Sequence, residues 1–239
     1  MKVWYMNGAG NDFMVMDARG QSLDFKALAL DLCKRTGADG FMAVDYSDKA
    51  DFKLHFYNAD GSRGEMCGNG ARCICRFAYE QGIAGESMVV QTDAGLVPGQ
   101  RISESEYVVR LNNPGVPHAV ARYEGDLWGD ADCIWDHMRQ LRFDPAFPKG
   151  ANVNFYQPVG ENEVRILTFE RGVEDYTLAC GTGSGSVAST LWMLGQLPGG
   201  RLTVHNRGGT LTVTVGGTKD ELTSIHLQGP TEVVKIYEI

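Results

Sequence analysis

Hydrophobic and polar positions alternate in short runs along much of the 239-residue chain. Runs 13–16, 52–56, 88–91, 107–111 and 164–169 are rich in β-branched and aromatic residues, and so are 202–205, 210–215 and 224–227. Each is bounded by Gly, Asn or Asp, so each predicts a strand. In 210–215 threonine alternates with Leu or Val, the period of a half-buried strand. Helical spacing is rarer. Phe25, Leu28, Leu30 and Leu32 give it to 24–33, and 67–81 and 182–194 carry it too. The last two are small or apolar nearly all round, and a helix lacking a polar face is a buried one. Two helices are therefore expected to run through the middle of structure otherwise made of strands.

The starts of those two helices resemble one another. One is Glu65-Met66-Cys67-Gly68-Asn69-Gly70-Ala71, the other Leu178-Ala179-Cys180-Gly181-Thr182-Gly183-Ser184. Each follows an aromatic-rich strand and a polar turn, with Asn58 nine residues before Cys67 and Arg171 nine before Cys180. The economical reading is an internal repeat of about 113 residues. It predicts two similar lobes, 1–112 carrying Cys67 and 113–239 carrying Cys180, and leaves room for the last strand to return to the N-terminal lobe. No Pro/Ser-rich linker separates them. The lobes are expected to pack tightly, with both helix starts facing a shared cleft.

Composition narrows the class. With 43% hydrophobic and 22% charged residues the chain is globular. Its 22 Lys and Arg against 30 Asp and Glu leave −8, which argues against a nucleic-acid or anionic-membrane partner. No apolar run approaches the roughly 18 residues needed to span a bilayer. Asn7 and Gly8 interrupt the start before a signal-peptide core could form, so a cytoplasmic location is expected. The thirty glycines cluster in 59–70, 181–185 and 195–200, which marks tight turns and close backbone approaches.

The six cysteines, at 33, 67, 73, 75, 133 and 180, are expected to be reduced. The spacing of Cys67, Cys73 and Cys75 lacks the paired pattern of a structural zinc site, and no His-Glu-x-x-His occurs, so no metal is expected. The Gly-x-Gly repeats follow a cysteine and fit neither a dinucleotide nor a P-loop fingerprint.

A helix N-terminus offers unpaired backbone N–H groups and about half a positive charge. The N–H groups of 68–70 and 181–183 could hold a carboxylate, and a thiol placed there has its pKa lowered. Two such starts facing each other would grip one small molecule with a sulfur on each side of its α-carbon. That arrangement suits inversion of the α-carbon, one thiolate removing the proton and the opposite thiol returning one. The aimed helix ends would stabilise the developing charge, a task other enzymes give to pyridoxal phosphate, so no cofactor is expected. Cys33, Cys73, Cys75 and Cys133 read as ordinary small hydrophobes.

At these residues the chain resembles the diaminopimelate epimerase family of cofactor-independent amino-acid racemases. The matching stretches are 6–13, 37–40, 58–62, 65–73, 117–120, 152–155, 170–173 and 177–183, in the family's order over nearly the whole chain. The resemblance implies an α+β fold of two pseudo-symmetric lobes, each a β-barrel-like sheet wrapped around a central helix. It implies an isomerase of lysine biosynthesis, with a small-molecule amino acid as its partner and a homodimer as its assembly. Cys67 and Cys180 would be the acid/base pair. Gly68, Asn69, Gly70, Gly181 and Thr182 would hold the reacting carboxylate and amino end. Asn11, Asn58, Asn152, Glu170 and Arg171 would recognise the rest, and His118 and Glu170 would support the thiols.

There are departures from the family pattern. The residue before Pro117-His118 is Val116, where the family usually has an asparagine that helps hold the distal end of the substrate. The segment from Arg171 to Cys180 is one residue longer, through Glu174-Asp175-Tyr176, which adds bulk and acid beside the site, and the chain is somewhat short. The substrate implied is LL- and meso-diaminopimelate; the alternative these departures open is another polar amino acid such as histidine.

Overall fold

The computed structural model describes residues 1–64, 66–111, 116–218 and 221–239. In chain order the elements are β1 (Lys2–Gly8), β2 (Asn11–Asp17), α1 (Phe25–Thr36), β3 (Gly40–Asp45), β4 (Phe52–Asn58), α2 (Gly68–Glu80), β5 (Ser87–Thr92), β6 (Gly95–Arg101) and β7 (Glu106–Arg110). There follow β8 (His118–Arg122), α3 (Ala131–Arg142), β9 (Asn152–Gly160), β10 (Glu163–Glu170), β11 (Asp175–Thr177), α4 (Gly181–Met193), β12 (Arg201–Asn206), β13 (Gly209–Gly217), β14 (Leu222–Pro230) and β15 (Glu232–Glu238). The chain divides into two compact units, Met1–Asn112 with Gln228–Ile239, and Asn113–Leu227. The break expected at 112/113 lies outside the described residues.

In the first unit the strand order is β15-β1-β2-β3-β4-β5-β6-β7. Two neighbouring pairs are parallel, β2 with β3 and β4 with β5, and each is bridged by a helix, α1 and α2 respectively. Parallel neighbours need such a crossover, because a tight turn cannot return the chain to the same end of the sheet. Helix α1 is framed by its sequence. The Asp24 side chain accepts from the Ala27 N–H at 3.0 Å, Gly37 ends the helix at φ +77°, and Lys34 and Arg35 sit in the last turn. Its buried Ala29, Leu32 and Cys33 pack on Met14, Met16, Phe41 and Ala43. The alternate residues of those strands turn the other way, where Phe13 and Met42 meet Gly70 of α2. Strand β3 is covered on both faces and is buried almost end to end. Helix α2 touches β1, β2 and β3 at one end of the strand order and β6 and β7 at the other. The sheet wraps around it.

The second unit repeats the plan. Its order is β14-β13-β12-β10-β9-β8, with α3 bridging parallel β8 and β9 and α4 bridging parallel β10 and β12. Helix α4 is the central one, against β8, β9, β12 and β13, and α3 packs on β9 and β10. Ala131, Ile134 and Met138 of α3 bury against Val153, Phe155, Leu167 and Phe169. Helices α2 and α4 open at Gly68 and Gly181, at the repeat distance read from the sequence. The fold is α+β, each unit a sheet around a buried helix. Among the described residues no helix is long and apolar enough to cross a membrane.

Candidate active site

At the start of α2, Cys67 is the N-cap, in extended backbone at φ −124° and half-buried. Its carbonyl accepts from the Ala71 N–H at 2.7 Å, while its sulfur makes no capping bond. Gly68, Asn69 and Gly70 follow, all buried. The Asn69 side chain ties the turn to the sheet: Nδ2 donates to Asn11 Oδ1 at 2.7 Å, and Oδ1 accepts from Arg72 Nη2 at 2.8 Å. Asn11 donates in turn to Asp39 Oδ2 at 3.2 Å, which also accepts from the Asp12 N–H at 2.9 Å. Close approach needs Gly8, where a Cβ would lie 2.8 Å from Cys73 Sγ and 2.9 Å from the Asn69 carbonyl oxygen. Asn58 is exposed at the end of β4; its Nδ2 donates to Ser62 Oγ and its backbone N–H to the Ser62 carbonyl, both at 2.9 Å. It closes the Asn-Ala-Asp-Gly-Ser turn. Glu65 lies outside the described residues.

At the start of α4, Cys180 is again the N-cap in extended backbone, and it is buried. Here the sulfur does cap. It accepts from the Gly183 N–H at 3.3 Å and lies 3.4 Å from Thr182 Oγ1. Gly181 is buried and Thr182 half-buried. Gly183 is required: a Cβ there would run into Asn154 Oδ1 and lie 3.0 Å from Thr168 Oγ1.

Behind this turn is a polar cluster set by strand register, with His118 opposite Asn152, and Asn154 opposite Thr168. Asn154 is fully buried. Its Nδ2 donates to the Ala119 carbonyl at 3.1 Å and to His118 Nδ1 at 3.0 Å, and its Oδ1 accepts from Thr168 Oγ1 at 2.9 Å. The Ala119 carbonyl can only accept, so the amide orientation is fixed and His118 Nδ1 must be the bare nitrogen. Burial also pushes the His118 pKa down to about 4. At neutral pH His118 is therefore uncharged with its proton on Nε2, a buried atom with no partner among the described residues. It can donate a hydrogen bond there and cannot accept one.

Glu170 and Arg171 sit at the turn leaving β10. Asn152, 5% exposed, accepts the Arg171 backbone N–H on Oδ1 at 2.8 Å, and Arg171 Nη1 donates to the Lys149 carbonyl at 3.2 Å. The added acid of this segment does not stand loose. Glu174, held at φ +58°, accepts on Oε1 from the Gly172 N–H at 2.9 Å and pairs with buried Arg142 Nη2 at 2.7 Å. The Gly172 N–H and Arg142 draw its carboxyl below the usual glutamate range against a counteracting desolvation. Trp135 Nε1 donates to Asp175 at 2.8 Å and Tyr176 OH to the Ala131 carbonyl at 2.8 Å. The extra bulk is thus bolted to α3.

The described residues bring Asn11 and Asn69 together in the first unit, and His118, Asn152 and Arg171 around β9 in the second. Sequence reasoning missed Arg72, Asp39, Asn154, Thr168 and Arg142. Asn154 stands two along from Asn152, on the same face of one strand. Arg72 is a charge inside a helix read as apolar nearly all round.

The diaminopimelate epimerase family model matches the chain twice, at residues 3–114 and 110–234. The chain belongs to the diaminopimelate epimerase family. It is an isomerase of the epimerase kind. Among curated relatives, the diaminopimelate epimerase of Aquifex aeolicus is 34% identical over 276 residues, covering 100% of this chain and 96% of that protein. That of Chlorobaculum tepidum is 35% identical over 255 residues, covering 96% and 97%. Solved structures agree on the fold at much lower identity. A phenazine biosynthesis protein of the PhzF family from Bacillus anthracis superposes with a TM-score of 0.77 at 15% identity, covering 100% of this chain and 98% of that one. A probable proline racemase from Agrobacterium radiobacter gives 0.71 at 14%, covering 100% and 92%.

Proposed function

We propose that the protein interconverts LL- and meso-diaminopimelate with no cofactor, using Cys67 and Cys180 as the acid/base pair. One observation carries the reading: each unit has a cysteine as N-cap of its central helix, opening Cys-Gly-x-Gly. The thiolate of one takes the α-proton, becoming a thiol, and the C–H electron pair is left on the α-carbon and drawn into the carboxylate. The other thiol gives its proton to the opposite face and is left as the thiolate, so the next turnover runs in reverse. No electron is gained or lost. Backbone N–H groups at 68–70 and 181–183 meet the carboxylate as its charge grows, where a fixed donor is worth most.

Asn11, Asn58, Asn152, Glu170 and Arg171 recognise the remainder of the substrate, with Arg171 pairing the distal carboxylate bidentately. Val116 cannot contribute the usual amide, which leaves the distal end more dependent on Arg171. His118 and Glu170 support the thiols, His118 as a neutral donor through Nε2. The two relatives described above carry the diaminopimelate name, and neither supports the histidine alternative.

The test is α-carbon deuteration in deuterated water with reductant, offered LL-diaminopimelate beside a panel of other amino acids. Deuterium enters diaminopimelate as the isomers interconvert, and Cys67→Ala and Cys180→Ala each lower the rate by about a thousandfold or more. Undiminished interconversion in either variant ends the two-thiol reading. Deuterium only in another amino acid reassigns the substrate.

A further inference from the structure

We propose that Arg72 is a positioning residue that holds Cys67 as the thiolate, so that Cys67 carries the negative charge before substrate arrives. The inference rests on Cys67 being one of the acid/base pair, and it says which member of the pair starts as base.

Arg72 is 0% exposed, a guanidinium sealed beneath the first turn of α2. Its Nη1 donates to the Gly68 carbonyl at 3.3 Å, next to Cys67, and its Nη2 to Asn69 Oδ1 at 2.8 Å. Its Nε is buried with no hydrogen-bond partner, and no carboxylate pairs with it among the described residues. Taking a full charge out of water costs several kcal/mol unless an anion answers it. The groups near enough for a negative charge on them to act on Arg72 are the sulfurs of Cys73, Cys67 and Cys75. Burial lowers the guanidinium to about 10, so it stays protonated at neutral pH.

Of those three sulfurs, Cys73 and Cys75 are fully buried, and burial pushes both thiols up to about 12. Both are neutral. Cys67 is half-buried and sits at the positive end of α2, leaving it as the sulfur able to answer the guanidinium.

The strands packed on α2 add little else. β1 and β3 present Trp4 to Phe77 and Met42 to Gly70. β2 brings Asp12, whose carboxylate opposes a negative sulfur and accepts from Asn7 at 2.8 Å. β6 brings Arg101, over the Tyr79 ring and paired with Glu86, and β7 brings buried Tyr107, raised by burial. On α2 itself Arg76 pairs with Glu80 at 2.7 Å. At the corresponding place in α4 stands Gly185.

The measurement is the pH dependence of iodoacetamide alkylation, read by peptide mapping at Cys67 in Cys180→Ser protein and at Cys180 in Cys67→Ser protein. Cys67 is expected to titrate at lower pH than Cys180. Arg72→Met raises the Cys67 midpoint by about one to two pH units, and Arg72→Lys keeps most of the depression. A Cys67 midpoint at or above that of Cys180, or one unmoved in folded Arg72→Met protein, overturns the proposal. Should Arg72→Met fail to fold, the order of the two midpoints with Arg72 present decides alone. A low Cys67 midpoint in a protein that exchanges no α-proton supports the role of Arg72 and removes the epimerase reading instead.

Discussion

At the start of α4 the sulfur of Cys180 accepts the Gly183 N–H, with a neutral cluster of Asn154, His118 and Thr168 behind it. At the start of α2 the sulfur of Cys67 does not cap, and a buried guanidinium lies beneath the turn instead. One four-residue motif is thus supported in two ways. Dipoles do the work in the second unit, and they act only at short range and with the backbone in place. A whole charge does it in the first, acting over a longer distance at the cost of burying an ion. Sequence likeness between the two starts tells where the sulfurs are and nothing about how each is tuned.

The comparison can be broken most forcefully at the glycines. Gly183→Ala should cost about 3 kcal/mol in urea unfolding, because the methyl group meets Asn154 and Thr168 in a cluster with no slack. Gly70→Ala should cost under about 1 kcal/mol, since its methyl would meet the flexible end of Met42 at 3.1 Å and Phe13 at 3.4 Å. Equal costs would show that the α4 turn is no tighter than the α2 turn.

The neutral character of the α4 side has a pH signature. His118 is held down to about 4 when folded, so between that value and the ordinary histidine pKa near 6.5 the unfolded chain binds the extra proton. Stability then falls as pH drops through that window, by on the order of 3 kcal/mol, and His118→Gln flattens the slope. An unchanged slope in the variant would place the titration elsewhere.

The smallest effect concerns the turn carrying Arg171. Arg142→Met frees Glu174, which is exposed enough to be resolvated, so folding changes little. KM for diaminopimelate should rise about tenfold, near 1.4 kcal/mol, with kcat within about twofold. A loss in kcat with KM constant would mean that α3 bears on the chemistry and not on recognition.

Much of this was legible beforehand. Helices 24–33, 67–81 and 182–194 match α1, α2 and α4 to within three residues at either end, because caps and periodicity are local. Helix α3 was not foreseen, although Ala131, Ile134 and Met138 fall on one face. Asp130 makes no side-chain cap there, and polar residues dominate the remaining face, so nothing marks its start. Strand β9 was hidden by Asn152 and Asn154, poor strand formers whose side chains are satisfied by partners 19 residues away for the first and 36 and 14 residues away for the second. Likewise, Asn152 and Asn58 could be named from motifs, yet their turn-holding bonds depend on register and turn closure. Glu174 looked like acid added to the site, and only the folded α3 shows Arg142 answering it.

The return of β15 to β1, with Lys2 opposite Glu238, carries a consequence for biosynthesis. Residues 113–227 of the second unit are contiguous, so a ribosome can release everything that unit needs before β15 exists. β1 must meanwhile keep an unpaired edge through the translation of the more than two hundred residues that separate it from β15, an invitation to wrong pairing. Of the two units, the one whose strands emerge earlier is the one that closes later.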